Sequence, residues 1–176
     1  MINTTAFRTT IIAAIGVLAA GTASAQSIRV TLPAWTEPVL LDTLRQEHQL
    51  SAAPGVVFAA TRKTFAEFRI PVKHADSTVG TISSDKFETG RALAGAIMSR
   101  SFGCGETAIG PNADSYRLSI AIAAWVKPGK DGGSLLSVAA AASGRDPAGV
   151  YGHPRGCATT GWIEQKIATT VEKLLR

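Results

Sequence analysis

Ser83-Ser84-Asp85-Lys86 has the S-x-x-K spacing that lets a lysine amine sit beside a serine nucleophile, as in penicillin-recognising enzymes. Those enzymes place the serine at a helix start and carry S-D-N and K-T-G motifs elsewhere. Here the tetrad closes a stretch rich in β-branched residues, and both companion motifs are missing. So short a pattern recurs by chance. Two carboxylates, Glu106 and Asp114, flank Gly110 and could share acid–base work, although Asn112-Ala113-Asp114 also suits a plain turn. His48, His74 and His153 are isolated, with no H-x-x-x-H pair and no cysteine at zinc spacing. His153 shares a glycine- and proline-rich loop with Arg145, Asp146, Tyr151 and Arg155, the kind of segment where polar sites assemble. G-x-S-x-G, H-E-x-x-H, G-x-G-x-x-G and Walker sequences do not occur, so the expectation is a chain with no cofactor and no metal.

Cys104 and Cys157 are the only cysteines. An even count in an oxidising compartment argues for pairing, and two cysteines allow one intramolecular connectivity. Gly103, Gly105 and Gly156 flank the sulfurs and let the two backbones come close. A reactive thiol is the rival reading, but C-x-x-C and a placed basic partner are lacking.

The compartment is expected from the first residues. Arg8 is the only charged residue before an uncharged apolar run from Ile11 to Ala20, and Ala23-Ser24-Ala25 follows. That order is a secretory leader with a cut after Ala25. The apolar run is about half of the roughly 20 residues a spanning helix needs, so no transmembrane segment is expected after cleavage. The predicted division is a leader over 1–25, an extended segment over 26–50 and one α+β domain over 51–176. The chain carries 18 Lys and Arg against 13 Asp and Glu, but the cations are scattered. A basic cluster with interleaved aromatics, the footprint of a nucleic-acid binder, is missing, so nucleic acid is not an expected partner. An envelope protein or a lipid is.

The elements that must position these residues read as follows. Ser27–Thr36 alternates through Ile28, Val30 and Leu32 and ends at Pro33, as an edge strand would. Val39–Leu50 reads equally as strand or short helix. Pro54–Arg69 is a helix with Val57, Phe58, Thr61, Phe65 and Phe68 on one face, capped by Ser51 and stopped by Pro71. Thr78–Phe87 reads as a strand. Arg91–Arg100 reads as a short helix, from Leu93, Ala96, Ile97 and Arg100 at helical spacing. Tyr116–Val126 alternates cleanly and is the clearest strand. Lys127–Gly133 is a turn, and Ser134–Ser143 returns as a hairpin whose alanines admit a closely packed helix. Gly161–Leu175 is the last helix, with Glu164 in its first turn and Lys173 in its last, as the helix dipole favours. The predicted fold is therefore α+β: an antiparallel sheet of about four strands with two helices packed on one face.

Cys104-Gly-Glu-Thr107, Gly110-Pro-Asn-Ala-Asp114-Ser-Tyr-Arg-Leu118 and Cys157-Ala-Thr-Thr-Gly161-Trp-Ile-Glu164 resemble a group of uncharacterised exported bacterial proteins over Pro54–Leu175. The layout is similar to the helix-grip domain of the BamC-type outer-membrane lipoproteins. The resemblance implies a cell-envelope protein with a helix-grip-like two-layer sandwich, without the lipidated cysteine of those lipoproteins. It supplies no catalytic residues, and fold analogy does not fix function. The functional expectation is a non-enzymatic envelope protein that uses the sheet's uncovered face, with Arg117, Trp125, Arg145, His153 and Arg155 as contact residues beside Glu106 and Asp114. The alternatives are a carrier of a small molecule or lipid in an apolar groove, and a hydrolase with a site near Glu106 and His153.

Overall fold

The computed structural model describes residues 27–89, 91–149 and 152–176; the expected leader and Tyr151 lie outside them. In chain order the first half runs β1 (Arg29–Val30), β2 (Val39–Leu40), β3 (Gln46–Leu50), α1 (Pro54–Glu67), β4 (His74–Asp76), β5 (Thr81–Ser83), β6 (Phe87–Glu88), β7 (Ala92–Leu93) and β8 (Ala96–Ile97). The second half runs β9 (Phe102–Gly103), β10 (Glu106–Thr107), β11 (Gly110–Pro111), α2 (Asn112–Ser115), β12 (Arg117–Pro128), β13 (Ser134–Arg145), β14 (Arg155–Thr159) and α3 (Trp162–Leu174).

The predicted fold class is corrected by this topology. Among the described residues the main sheet has eight antiparallel strands rather than about four, three α-helices are present rather than two, and three further two-stranded sheets lie outside it. The added strands are only two to five residues long, too short for a period of two to show. Four of them, β3, β5, β6 and β14, line the edges of β12 and β13, which are each twelve residues long and present backbone donors and acceptors that must be paired when buried. Arg91–Arg100 is a second correction. Ala94 and Gly95 both take positive φ, 50° and 81°, and close the β7–β8 hairpin instead of continuing a helix. A two-residue hairpin loop demands that conformation.

β12 and β13 form the spine and pair along their whole length, Arg117 opposite Arg145 through Pro128 opposite Ser134. Each outer edge is served by two short strands. β5 and β6 share the β12 edge, and β3 and β14 share the β13 edge. Side chains fill both gaps. On β12, the Ile122 N–H donates to the Ser84 hydroxyl at 2.8 Å while the Ser84 N–H donates to the Ile122 carbonyl at 2.9 Å. On β13, the Ala140 N–H is directed at the carboxyl of Glu164. The S-x-x-K serines thus lie at a strand end, where Ser84 completes a ladder.

One face of the spine carries Leu118, Ile120, Ile122, Leu136, Val138, Ala140 and Ala142, and packs against α1 and α3. α1 starts at Ala53 without a side-chain cap, so Ser51 does not serve there. Its two buried threonines donate back to the Val57 and Ala60 carbonyls. α3 buries Ile163, Ile167, Ala168 and Val171, and each large apolar side chain so buried contributes about 1.5–3 kcal/mol.

The opposite face is covered too, by the N-terminal segment. Val30, Leu32 and Leu41 pack on Ala121, Ala123, Trp125, Ala139 and Ala141. The alanines on both faces of β13 let a helix approach from one side and an extended chain from the other.

Candidate functional site

The N-terminal cover stops short of one end of the spine, and beyond its edge the second face turns polar. Arg117 and Arg145 are directly opposed across β12 and β13, and the adjacent same-face rung is Ser119 opposite Ser143. On the neighbouring strand Glu88 is opposite Ser119. These residues, with Lys86, line a cleft of about 250 Å³ walled by Pro33 and Pro154. Arg117 and Arg145 also line a second hollow beside it, made with Asp146, Pro147, Gly149 and Gly152. The Asp146 carboxylate is engaged at its own turn, accepting from the Ala148 N–H at 2.9 Å.

Among the described residues the ion pairs are Lys73–Asp85 and Glu172–Arg176. Neither arginine of the cleft is neutralised by an acid, and Lys86 is not either. Like charges set directly opposite on a sheet repel, and the nearby acids, Glu88 and Asp146, line the two hollows without pairing with either arginine. Ser119 is 7% exposed and Ser143 2%, and neither hydroxyl has a hydrogen-bond partner among the described residues. Their oxygens are not among the buried unpartnered side-chain atoms of the described residues, which are those of His48, Thr81, Ser101 and Trp125, so the cleft keeps both hydroxyls within reach of solvent or a ligand. Both hydroxyls border the cleft.

A second, apolar cleft of about 510 Å³ lies on the other side of the Pro33–Trp35 turn, lined by Trp35, Val39, Leu44, Ala140, Ala141 and the strand from Gly156 to Thr159. Trp35 and Leu44 remain 37% and 40% exposed. Gly156 makes this packing feasible, because a Cβ there would come within 2.6 Å of the Trp35 ring.

The other residues singled out in the sequence are placed differently. Trp125 is 1% exposed, beneath the N-terminal cover, with the Arg45 guanidinium 5.2 Å from its ring centroid. Its face of the sheet is covered, although it also borders the hollow lined by Pro54, Phe58 and Val79. Asp114 accepts the Ser99 N–H at 2.8 Å and holds α2 to the segment after β8. Glu106 is exposed on β10, and no hydrogen bond or ion pair among the described residues joins it to Asp114, Arg117 or His153. His153 is exposed on the loop before β14. Arg155 pairs with Gly144, so it points to the face opposite Arg117 and Arg145.

Cys104 and Cys157 are disulfide-bonded, with Cα atoms 4.3 Å apart. Ala158 pairs with Gly103 and Thr159 with Phe102, so the disulfide occupies the next rung of the same ladder. It ties β14, and through it one end of the second face, to the β9–β10 corner.

Sequence reasoning missed Glu164. Its helical position suggested a first-turn acid favoured by the helix dipole. Instead it is wholly buried. The Thr159 hydroxyl lies 2.7 and 3.0 Å from its two carboxyl oxygens. Burial pushes its carboxyl above the usual carboxylate range, and the Thr159 hydroxyl with the N–H groups of Glu164 and Ala140 pulls part of the way back. The available signal was its place one turn before Ala168 and two before Val171, on the buried stripe. The missed cleft residues had a signal too. Positions equally far from Asp131 face each other across the hairpin, so the turn and the alternation together place Ser119 and Ser143 beside the arginines.

No family model matches the chain, and no curated protein matches it significantly. Among the described residues no helix is long and apolar enough to cross a membrane, and no cluster of His, Cys, Asp and Glu could hold a metal ion.

Proposed function

We propose that the protein is an exported, non-enzymatic component of the bacterial cell envelope that binds another envelope component through the open end of the sheet's second face. The Cys104–Cys157 bond supports an oxidising compartment, and the leader pattern before Gln26 supports export into one. The observation that carries the binding reading is the Arg117–Arg145 rung beside Lys86, a cationic cleft whose charges pair with no acid among the described residues. The roomier hollow at the β12–β13 turn is a weaker candidate. It is lined by Lys130, Asp131, Glu172 and Arg176, where Arg176 and Glu172 already pair at 2.7 Å.

A photo-cross-linking residue at position 153 in intact cells tests the reading. A defined envelope component should be trapped, and R117Q/R145Q should abolish the product. A protein found uncut, with both thiols free and nothing trapped, would defeat the proposal.

The apolar cleft favours a second reading, a carrier of a lipid or other small apolar molecule. Native mass spectrometry of protein exposed to a lipid extract would show a bound species, displaced when Gly156→Ala pushes Trp35 aside. A spectrum of unliganded protein alone would count against it.

A further inference from the structure

We infer that the cleft between Arg117, Arg145 and Lys86 is a subsite for a phosphate group, an inference that rests on the binding reading above and names its chemistry. Three cations line the cleft against one acid, Glu88. An anion set between the two arginines would turn a repulsive rung into two attractive contacts.

Donor number and shape favour phosphate over a lone carboxylate. Two guanidinium forks, an ammonium and two serine hydroxyls offer more donors than the roughly four acceptor positions of one carboxylate. The three terminal oxygens of a phosphate monoester can engage both forks at once. Ser119 and Ser143 form the cleft's inner rung, where a hydroxyl donor meets an oxygen that the arginines do not reach. Glu88, opposite Ser119, can accept from a protonated phosphate oxygen or a neighbouring hydroxyl of the ligand. At about 250 Å³, room for about eight waters at roughly 30 Å³ each, the cleft holds a phosphate with space for an adjoining group, and the rest of a larger ligand would extend into the hollow under Asp146 or out to solvent.

The test is an NMR titration of the mature, oxidised protein with inorganic phosphate, against chloride at equal ionic strength. Amide signals of Ser119 and Ser143 and the side-chain Nε–H signals of Arg117 and Arg145 should move with phosphate, saturate, and stay still with chloride. R117Q/R145Q should weaken binding by at least roughly tenfold, the usual loss for a charge-assisted contact. S119A/S143A gives an independent, uncharged test and should weaken it less. Flotation with vesicles containing phosphatidic acid, whose headgroup is a phosphate monoester, against phosphatidylcholine separates the sources: co-flotation lost in R117Q/R145Q assigns a lipid headgroup, and phosphate binding without flotation assigns a soluble phosphate. Equal shifts with phosphate and chloride would overturn the inference, and so would unchanged phosphate binding in a folded R117Q/R145Q or S119A/S143A protein. If phosphate fails while cross-linking at position 153 still needs Arg117 and Arg145, the phosphate assignment falls and the binding reading stands. If phosphate binds and no component is trapped, the phosphate subsite stands and the envelope-component reading falls.

Discussion

Arg117 and Arg145 stand on facing positions of the two central strands, on one face of the sheet, with no acid paired to either among the described residues. This arrangement gives up stability in the free protein. Arg145→Glu turns the rung into an opposite-charge pair and should raise stability by a few tenths of a kilocalorie per mole, the modest scale of exposed cross-strand pairs. The same change should remove phosphate binding. Thermal melts with and without phosphate check both. Added salt should stabilise the parent more than the variant, because salt screens the repulsion.

Glu164 makes the second prediction. Its folded-state pKa lies above the ordinary value of 4.5, so between the two the folded protein binds the proton more tightly than the unfolded chain. Its contribution is therefore most favourable below the unfolded pKa and is lost as pH rises through the folded one. Glu164→Gln should flatten that alkaline-side fall in denaturation midpoints. Glu164→Ala should cost about 1–3 kcal/mol by stranding the Thr159 hydroxyl and the Ala140 N–H. His48 acts in the other direction. Burial lowers its pKa below 6.5, so its contribution is full above the unfolded value and falls on acidification, and His48→Gln should blunt that fall.

The disulfide spans a sequence separation of 53 residues and sits at the end of a hydrogen-bonded ladder. Reduction should lower unfolding stability by about 2–4 kcal/mol, read by urea titration with and without reductant. Because β14 and the loop before it wall both clefts, phosphate affinity should drop in the reduced protein even where it remains folded.

The N-terminal cover is expected to be an energetic part of the domain. Leu32 and Leu41 are both fully buried, and truncating either to alanine should cost about 2–5 kcal/mol. In a Trp35→Phe/Trp162→Phe background Trp125 is the sole tryptophan. Its emission should shift to the red in Leu32→Ala as the cover loosens.

Ala94 takes φ 50°, a conformation that disfavours a side chain. Ala94→Gly should stabilise the protein by a few tenths to about 1 kcal/mol, an example of relieving a left-handed residue at a tight turn. Melting temperature checks it.

What the sequence determined by itself was local. The alternation of Tyr116–Val126, the turn around Asp131 and the phenylalanine stripe of α1 specify a hairpin and a helix, because each repeats within a few residues. The cysteine count specified the bond. What only tertiary structure decided was which surface meets which. Trp125 read as a contact residue and is buried, because the chain that covers it lies far away in sequence. Glu164 read as a first-turn acid placed by the helix dipole and is buried, because a gap in the β13 edge receives it. The two- and three-residue strands carry no pattern of their own, and two of them, β5 and β6, form where β12 needs a partner. Periodicity tells a residue which side of its own element it occupies, but burial depends on what arrives from elsewhere. The facing arginines needed both, the hairpin to align them and the end of the N-terminal cover to leave them open.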